Sequence, residues 1–101
     1  MATSKEYLAY VLDLLRDVSD ISYKHMMGEY VLYKDNIIFG GIYDNRFLVK
    51  KTKSIEEYHF KEAIPYPKGS SMYLIDIENP DEIREIVIKI YKDLKIWKQS
   101  I

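Results

Sequence analysis

The side chains in this sequence that could do chemistry are few and dispersed. The two histidines, His25 and His59, have no cysteine to accompany them. Neither sits in an HxH, HxxH or HExxH spacing, so a metal would have to recruit scattered carboxylates. Ser70-Ser71 follows Gly69 but lies in no GxSxG elbow and has no assignable base. The carboxylate pairs Glu56-Glu57 and Asp81-Glu82 each fall at the start of a predicted helix, where the positive end of the helix dipole accounts for them without an acid/base role. Gly28, Gly40, Gly41 and Gly69 match neither a phosphate loop nor a dinucleotide fingerprint. The expectation is a chain with no catalytic, metal or cofactor residues.

Two groups of cations remain. Lys50, Lys51 and Lys53 form one, and Lys89, Lys92, Lys95 and Lys98 form the other. Either could neutralise phosphates, while the plain alternative is a solvated face and a helix end matched to its dipole. Ten tyrosines add an interaction-prone surface, because a tyrosine has an apolar body and a polar tip. In strands they could stack unpaired bases or support association with a partner.

The elements that must position these groups follow from periodicity. Leu8, Val11, Leu12, Leu15 and Val18 recur at three- and four-residue steps and predict an amphipathic helix over Lys5 to Asp17, with Thr3 and Glu6 at capping-box spacing. From Ile21 to Lys51 the pattern becomes short β-branched and aromatic runs divided by turn chemistry. Tyr30 to Tyr33, Ile37 to Tyr43 and Arg46 to Lys50 read as strands joined by Asp35-Asn36 and Asp44-Asn45. Ile21 to Met27 predicts a further strand, with Gly28 permitting a bend or bulge. Ser54 to Glu57 has capping-box spacing, and Pro65 and Pro67 limit that segment to a short helix. Met72 to Ile77 predicts one more strand. Asn79-Pro80-Asp81-Glu82 then opens a long helix whose apolar stripe runs through Ile83, Ile86, Val87, Ile90, Tyr91, Leu94 and Trp97. The predicted fold is α+β: an antiparallel meander of four to five strands with the N- and C-terminal helices packed on one face.

Length and composition bound the rest. One hundred and one residues suit a single domain, and 48% apolar with 31% charged residues describes a folded globular chain. Zero cysteines exclude disulfides and thiolate metal sites and point to a reducing cytoplasm. No apolar run approaches the length of a membrane span, and the N-terminal residues lack the pattern of a signal peptide. Fifteen basic against sixteen acidic residues give no global attraction to nucleic acid or anionic membranes.

The run from Met26 through Gly28, Tyr30, Leu32 and Tyr33 to Gly40 resembles the central signature of the TfoX/Sxy N-terminal domain family, bacterial regulators linked to natural competence. That pattern is roughly Met-Phe-Gly-Gly-Tyr-Gly-Leu-Tyr, a short turn, an apolar strand, and an Asp-rich turn into Leu-x-Leu-Lys. Tyr43 to Lys50 stands in the last position. The resemblance extends over nearly the whole chain, 1–101, and departs from the pattern at Glu29 and Val31, where the family has glycines. It implies a non-enzymatic module working through protein contacts, in transcriptional activation alongside the cyclic-AMP receptor protein, with a second helical domain in full-length members. The expected partner is a protein, with a homodimer as an accompanying expectation. Two other readings stay open: nucleic-acid binding through the lysine clusters, and a small-molecule pocket involving His25 or Glu29.

Overall fold

The computed structural model describes residues 2–99, with side chains described through residue 96. The element order is α1 (Lys5–Leu14), β1 (Ile21–Met26), β2 (Glu29–Lys34), β3 (Ile37–Ile42), β4 (Phe47–Val49), a short 3-10 helix (Lys53–Tyr58), β5 (Glu62–Ala63), β6 (Met72–Leu74) and α2 (Pro80–Gln99). The fold is α+β, as the periodicity predicts. All six strands form one antiparallel sheet in the order β1-β2-β3-β4-β6-β5. β5 exceeds the expected four to five strands, because a two-residue strand is too short to leave a period in the sequence.

Three hairpins build the meander, and each turns on two residues with positive φ: Met27 and Gly28, Asp35 and Asn36, Asp44 and Asn45. Positive φ at both turn positions gives the backbone twist that matches the flanking strands. The bend expected at Gly28 is therefore a hairpin turn. The irregularity lies instead between Leu32 and Tyr33 on β2, where Leu32 faces Gly40 but Tyr33 faces Ile38, leaving Phe39 as the extra residue.

Directly paired residues in antiparallel strands share a face. Tyr30, Ile42 and Phe47 make one row, and Leu32, Gly40 and Val49 the next. This face meets both helices in one apolar core. Leu8, Val11 and Leu14 of α1 and Ile83, Ile86, Val87 and Ile90 of α2 join Phe39, Phe47, Ile55 and Ile75 in it. Burying that many large side chains, at about 1.5–3 kcal/mol each, is the main stabilising term of the fold.

Several ends differ from the sequence reading. α1 stops at Leu14, short of Asp17, and Leu15 and Val18 enter the core from the turns that follow. Its cap is Ser4, whose Oγ accepts from Tyr7 N, and Thr3 is used elsewhere. The Ser54 capping box does not form, since Ser54 Oγ bonds Asp93 Oδ1 on α2 at 2.6 Å. β6 ends at Leu74, three residues before the expected Ile77. Asn79 does cap α2, accepting from Asp81 N at 2.8 Å. Trp97 and Lys98 lie outside the residues with described side chains.

Candidate recognition surface

The sheet's other face has no helix over it. Val31, Gly41, Leu48 and Leu74 form its central row, with Lys24 and Tyr33 toward the β1 edge. Leu48 is fully buried there without belonging to the main core, so something smaller than a helix must cover it. Part of that cover is Tyr43, whose ring folds back across Gly41. A Cβ on Gly41 would come within 2.6 Å of the ring, so glycine is required. The Pro65 to Gly69 loop packs on this tyrosine, with Tyr66 tilted against Tyr43 at 6.1 Å between ring centroids. Arg46 ties this loop down, its Nη2 donating to Ile64 O at 3.1 Å and its Nε to Tyr43 O at 3.1 Å. Burial and then the neighbouring Tyr66 push the Tyr43 phenol above its ordinary range, so it stays a neutral hydroxyl.

Between that loop and the strands runs a groove of about 450 Å³, lined by Ile38, Tyr43, Lys50, Lys51, Tyr66, Ser70 and Ser71 among others. A second cleft of about 630 Å³ lies where the segment after β4 meets α2, lined by Lys50, Lys51, Thr52, Lys53, Asp93 and Leu94. Lys50 and Lys51 line both, so they form a saddle between the two depressions. The wall of the second cleft is fixed by Asp93, which accepts from Ser54 N at 2.9 Å as well as from Ser54 Oγ. Partial burial alone would raise the Asp93 carboxyl, but the Ser54 hydrogen bonds outweigh it and hold it below the usual carboxylate range.

The predicted lysines have divided fates. Lys89 is consumed by its own surroundings: Nζ donates to Tyr58 Oη at 3.0 Å and pairs with Glu57 and Glu85 at 3.1 and 3.2 Å. The Tyr58 bond, followed by that from Glu57, drives its pKa upward. Lys95 lies over the Tyr91 ring, and Lys92 is exposed on α2. Lys51 pairs with Glu62 at 2.9 Å on an exposed rim, a hydrogen bond that raises the one pKa and lowers the other. Lys50 and Lys53 are exposed and enter no ion pair among the described residues.

The signature residues are mainly architectural. Tyr30 and Leu32 are core, and Met26 and Gly28 frame the first hairpin. Gly40 is where backbone passes close to backbone, since a Cβ there would collide with the Leu48 carbonyl. Tyr33 is the exception and stands on the open face beneath Lys24. Glu29 is a latch. Its carboxylate accepts from Asp44 N at 3.0 Å and from Thr3 Oγ1 at 2.7 Å, which joins the segment before α1 to the β3–β4 turn. His25 stacks on Tyr30 at the exposed β1 edge, and His59 ends the 3-10 helix in a left-handed conformation. Neither converges with Glu29 on a pocket. Among the described residues there is no cluster of three or more potential metal ligands, and no helix is long and apolar enough to cross a membrane.

No family model matches the chain. It is 35% identical over 78 residues to an uncharacterized 12.7 kDa protein in the trpE 5' region of Spirochaeta aurantia, a match covering 75% of this chain and 68% of that protein. The chain belongs to that protein's family. The family thus includes chains of similar size, and the geometry of the open face and its saddle must carry the functional argument. Tyr43, Tyr66 and Arg46 were not singled out by residue chemistry. The available signal was the Pro-, Gly- and Ser-rich composition of the stretch Ile64 to Ser71, which walls the groove.

Proposed function

We propose that this chain is a non-enzymatic recognition module of the cytoplasm, similar in kind to the TfoX N-terminal domain, that binds a protein partner through the open face of its sheet near β1. The observation that supports this most is one-sidedness. Both helices cover a single face, and the other presents Tyr33 beside Ile38, with Met26 at the far end of β1 and Met27 96% exposed in the turn that follows it. Exposed apolar side chains grouped on a rigid sheet are the usual raw material of an interface. β1 adds an edge strand with an unpaired outer side, available for strand addition or for a second copy of the chain.

Affinity capture from the source organism, with the wild-type chain and a Met27→Asp/Tyr33→Ser variant in parallel, tests this reading. A partner held by the wild type and lost from a variant with an unchanged circular-dichroism spectrum is the expected result. Retention of the partner by the variant, or turnover of a metabolite by the purified chain, overturns it. Light scattering on the same samples reads the homodimer.

A further inference from the structure

We infer that the saddle formed by Lys50 and Lys51 is the centre of a binding track for single-stranded nucleic acid, running from the tyrosine-walled groove into the cleft beside α2. This goes beyond the protein-contact role and adjoins that patch at Ile38, which lines the groove.

Charge is the first argument. Lys50, Lys51 and Lys53 fall within one short exposed segment, in which Lys50 and Lys51 line both depressions and Lys53 lines the cleft beside α2. Lys51 is paired with Glu62 at 2.9 Å and Asp93 is held in its charged form in the second cleft, so the cations that enter no ion pair among the described residues are Lys50 and Lys53. Both oxygens of Asp93 are engaged by Ser54, and Glu62 Oε1 is held by Lys51 and by Ser71 Oγ at 2.7 Å. A chain of overall charge −1 therefore presents two unpaired cations, Lys50 and Lys53, beside the groove and the cleft, where they can meet successive phosphates of a polyanion.

Aromatic geometry selects the kind of polyanion. Tyr66 is 59% exposed at the groove wall and Tyr43 leans against it. A phosphate chain alone has no use for a ring, and a duplex keeps its base faces stacked on one another. A single strand can put phosphates on the lysines and an unstacked base on Tyr66. Arg46 already anchors the wall that carries this tyrosine, so little ordering is needed on binding.

Fluorescence anisotropy with a labelled oligothymidine of about twelve nucleotides, within the usual site sizes, provides the test. Two unpaired lysines, Lys50 and Lys53, neutralising two phosphates give log Kobs against log[salt] a slope of about −1.4. The Lys50→Glu/Lys53→Glu variant should weaken binding at low salt by at least about tenfold and flatten the slope to near zero. Tyr66→Ala should weaken it by about tenfold with the slope unchanged. A Lys5→Glu/Arg84→Glu variant, with the same change in net charge elsewhere, should stay within about twofold. Lys50→Gln/Lys53→Gln serves if charge reversal disturbs the fold. Absence of binding at low salt, indifference to the saddle substitutions, or displacement of the strand equally well by polyphosphate with no effect of Tyr66→Ala would each overturn the inference. Displacement by polyglutamate at equal charge would assign the track to an acidic protein instead.

Discussion

The two faces of the sheet are made from the same strands and treat their side chains in opposite ways. Toward the helices, Leu32, Phe39, Ile42, Phe47 and Val49 are all almost fully enclosed. Away from them, Leu48 is enclosed beside Gly41 and its folded-back tyrosine, but Val31 and Tyr33 are half-buried and Ile38 is 39% exposed. Close packing makes the first face intolerant of change in volume, whereas the second has slack around most of its positions. If the open face is the recognition surface we propose, stability and recognition fall on different sides of a layer one strand thick, and substitutions should separate them.

The largest effect belongs to the enclosed side. Phe39→Ala removes a fully buried ring from the bulge position and should cost about 3–5 kcal/mol. For a domain of this size that is a large share of the total stability. Urea unfolding followed by circular dichroism measures it, and a loss below about 1 kcal/mol would contradict the division between faces. Gly40→Ala should be comparably damaging, because its added methyl meets backbone at Leu48 and not a side chain that can swing away.

Much of this enclosed side was legible beforehand, and the reasons are local. The helical stripe through Ile83, Ile86, Val87 and Ile90 and the Asp-Asn turns write their conformations into residue type. What was not legible depends on partners distant in sequence. Thr3 has ideal spacing for a cap, yet it serves Glu29 and the β3–β4 turn, and Ser4 takes its place. Ser54 likewise bonds Asp93, 39 residues away. The lysine clusters were found as residues, but a one-dimensional pattern could not separate Lys89, neutralised by Glu57 and Glu85, from Lys50 and Lys53. The groove itself came from Tyr43 and Tyr66, which meet only through tertiary folding.

Intermediate effects should come from the seams where the two sides join. Glu29→Ala strips the acceptor from Asp44 N and from Thr3 Oγ1, two bonds that hold neighbouring segments together, and should cost about 1–3 kcal/mol. Thermal unfolding reads it. Glu29→Gln keeps one acceptor and should recover part of the loss. At the other seam, Asp93→Asn should cost about 1 kcal/mol at pH 7. Because the folded Asp93 carboxyl sits below its ordinary range, its contribution is present above the unfolded value of about 4 and disappears as pH falls through the folded value. The stability gap between wild type and Asp93→Asn should therefore close on acidification. A gap that widened toward low pH would show that Asp93 is not stabilised in its charged form.

The smallest effect sharpens the comparison most. Ile38→Thr lies on the open face, keeps a β-branched side chain in a strand, and removes apolar surface that is already partly in water. Its cost should stay within about 0.5 kcal/mol, an order of magnitude below Phe39→Ala at the next position along the same strand. Adjacent residues point to opposite faces, so the pair holds strand, register neighbourhood and distance from the termini nearly constant and varies only the side. Equal losses at the two positions would mean that the outer face is packed against something in the folded chain, and the surface available for recognition would then have to lie elsewhere. Unequal losses, together with a weakened partner in the Ile38→Thr chain, would place the contact on the side that the fold can spare.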